Sequence, residues 1–402
     1  MAYRESNADR SLRKWFCNDN EHQLLRAIKL KEGTMRGLSP FDLKLDFPVT
    51  AIAGKNGSGK STILALACCA FHNNPKAFKL SHRKTSYYTF ADFFVQHTED
   101  IPSEGIKISY SIAHNNWKKN DSLPEGRGIG NQRREKKKLG KWTDYATRVH
   151  RDVVFLGIER IVPHSEKSQS KSYSKSFSNK GDKGWESAVK DAVGKILGKK
   201  YEEFKYVSHS KYRLPLVVSN GKKYSGFHMG AGENALFEAL SVIHSIGAGA
   251  LVVIDEIELG LHSEAQKNFI KYLKEICIKR KIQIICTTHS RDIFSQLPDD
   301  ARIFVERIGG KSMISHAISP DFAFSKLSAE NSLEICLMVE DNVAKALLQA
   351  ILPSNIRSRI NIEVIGSSAA LSRQLSSNYI RGKKENIVII YDGDQRSKEK
   401  HN

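Results

Sequence analysis

The sequence predicts an α/β fold built around a phosphate-binding loop, and three observations carry that prediction. Val49-Thr50-Ala51-Ile52-Ala53 is a short apolar run that enters a glycine-rich loop and then a stretch of helical character, 61–71. This is the strand–loop–helix order in which backbone amides and a helix N-terminus meet phosphate. Leu251-Val252-Val253-Ile254 is a second apolar run, and it ends in Asp255 and Glu256. From about residue 214 onward, helix and strand patterns alternate: a helix at 232–246, a strand at 250–255, a helix at 263–280, and strands at 282–288 and 302–307.

The remaining elements follow in order. Residues 24–31 and 41–53 read as strands around a turn at Leu38-Ser39-Pro40, and 104–112 alternates as a strand does. The composition then shifts. Residues 114–145 carry the run Arg133-Arg134-Glu135-Lys136-Lys137-Lys138, and 164–184 is a serine/lysine tract with interspersed aromatics. Segments of this kind bury little apolar surface, so the expectation is flexible loops or a basic insertion. Apolar order resumes at 153–161, a helical pattern covers 185–197, and 333–394 repeats strand–helix–strand–helix–strand on a smaller scale. The expected organisation is an N-terminal lobe at 1–112, a partly flexible insertion at 113–213, a second lobe at 214–325, and a small α/β segment at 330–402.

Composition narrows the function classes. The 402 residues are 40% apolar and 27% charged, the range of a soluble globular protein. No run approaches the roughly 18 residues of a membrane span, and the N-terminus lacks a signal-peptide core, so a cytoplasmic protein without a membrane partner is expected. The six cysteines (Cys17, Cys68, Cys69, Cys277, Cys286, Cys336) show no metal-ligand spacing and mostly sit in apolar runs, as reduced, buried thiols do. A formal charge of +19 favours a polyanionic partner through counterion release. Arg133, Arg134, Lys136, Lys137 and Lys138 are the candidate nucleic-acid contacts, with Trp117, Trp142, Tyr173 and Phe177 available to stack on bases. Charge alone leaves DNA and RNA open.

The chemistry-bearing motifs lie on the α/β parts. Gly54-Lys55-Asn56-Gly57-Ser58-Gly59-Lys60-Ser61 fits G-x-x-x-x-G-K-[ST] without deviation, and Thr62 follows it. In such a loop Lys60 reaches the β- and γ-phosphates of ATP, while Ser61 ligates Mg²⁺. Asp255 is the expected organiser of Mg²⁺ and its water, and Glu256 the group that polarises the attacking water. A further strand ends in Thr287-Thr288-His289-Ser290, which places His289 to contact the γ-phosphate. Met229-Gly230-Ala231-Gly232-Glu233 precedes a helix, and its amides form a candidate phosphate contact through Gly230, Gly232 and Glu233.

The order of these motifs resembles that of the ABC/SMC superfamily, with Met229–Glu233 in the place of the signature, although Gly230 stands where serine is usual. Asp255-Glu256-Ile257-Glu258-Leu259-Gly260-Leu261-His262 is similar to a stretch of the ATPases related to the OLD (overcoming lysogenization defect) family, as is Gly157-Ile158-Glu159-Arg160-Ile161-Val162-Pro163. Glu258 and His262 then fall in the D-loop, Arg160 has no assigned role, and Gln96 is the only candidate for a Q-loop. The resemblance implies an ABC-type P-loop ATPase head that dimerises head to head, or forms a larger oligomer, with each signature touching the partner's ATP. In the C-terminal segment, Glu340, Asp392 and Asp394 resemble the Mg²⁺- or Mn²⁺-binding carboxylates of a Toprim core. Val339-Glu340-Asp341-Asn342 lacks the usual glycine, and the chain ends eight residues after Asp394, so a truncated Toprim-like segment is expected.

Two functions follow from the resemblance. One is an ATP-gated subunit that regulates a separate nucleic-acid-directed effector such as a nuclease, as in the Septu, Gabija and retron antiphage systems. The other is a self-contained OLD-like endonuclease. A DNA repair ATPase is the third reading and ranks last, because no long heptad arm separates the phosphate loop from the signature.

Overall fold

The computed structural model describes residues 3–100, 105–137, 142–143, 147–179, 181–210, 212–328, 334–357, 359–380 and 386–393. The chain divides into two compact units, residues 1–317 and 318–402.

Apolar runs without polar alternation become strands buried on both faces, and these build the central sheet of the first unit. Its order is Lys311–His316, Arg302–Ile308, Val49–Gly54, Gln283–Thr287, Leu251–Ile254, Val153–Leu156. All pairings are parallel except that of the outer strand Lys311–His316, which runs antiparallel to Arg302–Ile308. Every residue of Val49–Gly54, Leu251–Ile254 and Gln283–Thr287 is buried. The helix after the phosphate loop, Lys60–Cys68, buries all but one of its residues. Ser263–Arg280 is entered through His262, whose ring accepts from the Ala265 amide, and it ends on Lys281 at φ 55°.

An antiparallel sheet of order Phe41–Lys44, Leu24–Glu32, Ile106–His114, Gly128–Lys136 lies beside it. The two sheets are tied by buried polar groups. Gln283 exchanges hydrogen bonds with the Leu25 backbone at 3.0 and 2.8 Å. Arg151 donates to Gln283 at 2.9 Å and to the Gly249 carbonyl at 2.8 Å. A third, antiparallel sheet contains Lys222–Ser225, Tyr212–Ser219, Glu203–His209 and Ser178–Asn179. Phe204 stacks on Phe237 at 4.4 Å and so fastens this sheet to the helix Ala231–Ser245. At the N-terminus, helix Asn7–Asn18 is capped by Ser6 and pinned by Asp9, which pairs with Lys274 at 2.6 Å in a buried position.

The basic stretch differs from the flexible insertion expected of it. Gly128–Lys136 is a paired strand in which Gly130, Gln132 and Arg134 turn inward while Ile129, Asn131 and Arg133 face out. Arg134 is therefore buried, at 2% exposure, and Gln132 donates to the Ala70 carbonyl. Val153–Leu156, also within the expected insertion, is an outer strand of the central sheet. The aromatics pack locally as well. Trp142 stacks on Phe90 at 3.8 Å, Trp117 donates to the Gly128 carbonyl at 3.1 Å, and Tyr173 stacks on His209 at 4.5 Å. Phe177 meets the same His209 ring edge-on.

The second unit holds a parallel sheet of order Ile360–Val364, Ile335–Val339, Ile387–Ile390, with helices Asn342–Ile351 and Ser368–Ile380 between the strands in sequence. Leu337, Val339, Ile360 and Ile362 form its core. Cys68, Cys69, Cys277 and Cys286 are buried free thiols, whereas Cys17 is exposed. Among the described residues no helix is long and apolar enough to cross a membrane.

Candidate active site

The phosphate loop is shaped by close approach of its backbone to its neighbours. A Cβ on Gly54 would stand 2.2 Å from the Val305 carbonyl oxygen, and one on Gly59 2.3 Å from the Leu38 side chain. Gly59 also has φ 102°, a left-handed conformation that suits glycine. Lys55, Asn56 and Gly57 form the exposed crest, while Ser58, Lys60 and Thr62 are buried beneath it. Lys60 Nζ donates to the Gly54 and Lys55 carbonyls at 2.8 and 3.2 Å. Burial lowers the pKa of this ammonium, against the opposing charges of Glu256, Asp255 and Glu258.

The carboxylates arrive on the strand Leu251–Ile254, separated from the loop strand by Gln283–Thr287. Ser61 Oγ donates to Asp255 Oδ2 at 3.2 Å, and Thr287 Oγ1 donates to Asp255 Oδ1 at 2.5 Å. The same Thr287 hydroxyl accepts from the Glu256 amide at 2.8 Å. The oxygen donors of Ser61 and Asp255 are the hard ligands that Mg²⁺ requires, and both sit beside the loop.

Glu256 has φ 50°, a left-handed conformation that is costly for a residue with a Cβ. Its Oε1 lies 3.3 Å from His289 Nε2. Burial raises the Glu256 pKa to about 7, and the charges of Glu258 and Asp255 reinforce the shift. His289 is lowered by burial and by Lys60. The Glu256 carboxyl is thus shifted towards its neutral form where it faces the His289 ring. Glu258 Oε1 accepts from the His289 amide at 2.5 Å and so holds the end of the histidine strand.

Sequence reasoning left two contributors without a role, Thr287 and Arg160. Arg160, buried in the 3-10 turn Ile158–Ile161, donates to the carbonyls of Gly157 at 2.9 Å, Asp255 at 2.7 Å and Glu256 at 2.5 Å. The isolated Gly-Ile-Glu-Arg string was the signal for Arg160. Nothing in the sequence marks Thr287, since its partners lie on a neighbouring strand. Gln96 is exposed in the loop after Phe90–Phe93.

The signature-like segment opens the helix Ala231–Ser245, with Gly230 exposed at its N-cap. Gly232 is buried against the turn that follows the carboxylates, where an added Cβ would stand 1.9 Å from the Gly260 oxygen. The Glu233 carboxylate accepts from Lys199 at 3.0 Å, from Tyr224 at 2.7 Å and from Tyr201. That side chain is therefore engaged with Lys199, Tyr201 and Tyr224, and so braces the helix internally.

In the second unit, Glu340 and Asp392 follow adjacent parallel strands, since Val339 pairs with Ile390. Glu340 Oε2 is shielded from solvent and has no hydrogen-bond partner among the described residues. Asp394 and Lys138 lie outside the described residues. Among the described residues no group of three or more His, Cys, Asp or Glu side chains is arranged to hold a metal. Of the basic run, Arg133 and Lys137 are exposed, Lys136 is half-buried and Arg134 is buried.

Residues 234–294 match the family model described as an AAA ATPase domain, a span that contains Asp255, Glu256 and His289. No curated protein matches the chain. Among solved structures, an SMC head domain from Thermotoga maritima is similar at 17% identity and TM-score 0.44, covering 73% of this chain and 98% of that one. An Smc head domain with an extended coiled coil, bound to the C-terminal domain of ScpA from Pyrococcus furiosus, is similar at 12% identity and TM-score 0.48, covering 76% of this chain and 98% of that one.

Proposed function

We propose that the chain is an ABC/SMC-type ATPase that binds ATP at Gly54–Thr62 and hydrolyses it with Glu256 and His289. The observation that carries this reading is the convergence on one point of Ser61, Asp255 and the Glu256–His289 pair, with Ser61 Oγ 3.2 Å from Asp255 Oδ2 and Glu256 3.3 Å from His289. Ser61 and Asp255 would hold Mg²⁺, which supplies charge neutralisation at the transferring phosphoryl group. Lys60 and the loop amides bind the phosphate oxygens. Glu256 takes the proton of the attacking water, and His289 orients Glu256 and meets the γ-phosphate side of the site. The exposed amides at Gly230 would complete the site of a second copy, so ATP would close a homodimer. Purified protein should therefore release phosphate from ATP with Mg²⁺, Lys60→Ala should abolish nucleotide binding, and Glu256→Gln should bind ATP without turnover.

On this reading the ATP cycle would regulate a separate nucleic-acid-directed effector in antiphage defence, with Arg133 on the strand Gly128–Lys136 and Lys137 just after it meeting DNA or RNA. A second reading, an intrinsic Mg²⁺- or Mn²⁺-dependent nuclease, draws support from Glu340 and Asp392 at neighbouring strand ends. Plasmid cleavage abolished by Asp392→Ala would favour it. Absence of cleavage by the isolated chain would favour the regulator.

A further inference from the structure

A guanidinium carries five N–H donors in a planar fork and keeps its charge in proteins, so a buried arginine normally seeks carboxylates. Arg160 is buried, with three acidic residues near it, yet its hydrogen bonds go to main-chain carbonyls: those of Leu156, Gly157, Asp255 and Glu256. Two of these belong to the residues that end the carboxylate strand. The peptides on both sides of the Glu256 Cα are thus held, its amide by Thr287 Oγ1 and its carbonyl by Arg160 Nη2. The next amide, that of Ile257, donates to the Thr287 carbonyl at 3.1 Å. A left-handed backbone at a residue with a Cβ persists only where its surroundings over-determine it, and these bonds supply that at Glu256, φ 50°. The Arg160 carbonyl in turn accepts from Asn234 Nδ2 at 3.4 Å, on the helix that begins beside Gly230. One residue therefore joins the signature-like helix to the catalytic turn.

We infer that Arg160 is a positioning residue for hydrolysis: by gripping the Asp255 and Glu256 carbonyls it locks the backbone conformation that directs the Glu256 carboxyl to the water beside His289. The inference rests on the ATPase reading and deepens it. It separates binding from chemistry, because no phosphate-loop group bonds to Arg160 whereas the Glu256 turn does.

The test compares wild-type protein with Arg160→Gln and Arg160→Lys, using full-length chains with ATP and Mg²⁺. Arg160→Gln should lower kcat about 100-fold, the scale set by misplacing a reacting group by about 1 Å, while KM and the affinity for a fluorescent ATP analogue stay within about threefold. Arg160→Lys should recover only part of kcat, since a single Nζ cannot reproduce the two separate nitrogens, Nη1 on the Asp255 carbonyl and Nη2 on the Glu256 carbonyl, that grip the turn. Hydrogen–deuterium exchange over residues 255–262 is the second readout: it should accelerate in Arg160→Gln and stay slow in Glu256→Gln. Unchanged kcat with unchanged exchange would overturn the inference. So would loss of nucleotide affinity together with a collapse in melting temperature, which would make Arg160 a fold residue only. If the wild-type protein does not hydrolyse ATP, the ATPase reading fails, and the exchange comparison still decides whether Arg160 holds the turn.

Discussion

Thr287 Oγ1 donates to Asp255 Oδ1 at 2.5 Å and accepts from the Glu256 amide at 2.8 Å, so one hydroxyl holds both the Asp255 carboxylate and the backbone of the turn at Glu256. It does so from the strand between the phosphate loop and the carboxylates, which couples their spacing to sheet register rather than to loop conformation.

Thr287→Val keeps the shape of that side chain and removes its hydroxyl. A hydrogen bond to a charged group contributes about 1.5–3 kcal/mol, so ATP turnover should fall roughly 10- to 100-fold. The Mg²⁺ concentration for half-maximal rate should rise. Steady-state phosphate release across a Mg²⁺ titration checks both.

The pH profile follows from Glu256. A base raised to about 7 is protonated, and idle, below that pH. Accordingly kcat/KM should fall about tenfold per pH unit on the acid side of 7. The linkage runs the other way for stability. The folded-state pKa lies above the ordinary carboxyl value, so ionising Glu256 costs stability progressively as pH rises towards 7. Glu256→Gln should then raise the melting temperature at pH 8 and leave it nearly unchanged at pH 4.5. Differential scanning calorimetry at the two pH values distinguishes these outcomes.

The buried Asp9–Lys274 pair gives a separate stability prediction. Burial opposes ionisation of Asp9, but hydrogen bonds from Lys274, Ser6 and Tyr3 outweigh it and hold the pKa below the usual aspartate value. Asp9→Ala should cost about 3–5 kcal/mol, because it leaves a buried charge without its partner. The contribution of Asp9 is present above the unfolded-state pKa and lost as pH falls through the folded-state value. Urea unfolding of Asp9→Ala and wild-type protein at pH 7 and at a pH well below the ordinary aspartate value measures it.

The strand Gly128–Lys136 divides the basic run into two kinds of residue. Arg133→Glu with Lys137→Glu, both exposed, should weaken DNA or RNA binding and lower the salt slope by about 2 while leaving stability unchanged. Arg134→Ala, at a buried position, should lower the melting temperature instead. Filter binding across a salt series, paired with thermal melts, tells the two effects apart.

What could be read in the sequence was what local pattern encodes. The helix expected at 263–280 is Ser263–Arg280, and the apolar run ending in Asp255-Glu256 is the strand Leu251–Ile254. The span 41–53 reads as one strand but is two, Phe41–Lys44 in the antiparallel sheet and Val49–Gly54 in the central one, because the chain passes from one sheet to the other between them. Gly128–Lys136 is masked because its inward face is Gly130, Gln132 and Arg134, none of which supplies the apolar side chain that marks a strand's alternation. Ser61 with Asp255, and Glu256 with His289, which the structure brings together, lie in motifs and at strand ends that local pattern marks. The roles of Thr287 and Arg160 are not so marked, since each acts through hydrogen bonds to strands distant in the chain.

The most direct test of the central claim is phosphate release from ATP by purified protein, measured alongside Lys60→Ala and Glu256→Gln with nucleotide affinity recorded for all three. Mg²⁺-dependent release that vanishes in both variants, with affinity lost only in Lys60→Ala, is the predicted result. Full turnover by Glu256→Gln, or ATP binding unaffected by Lys60→Ala, would contradict the assignment of this site.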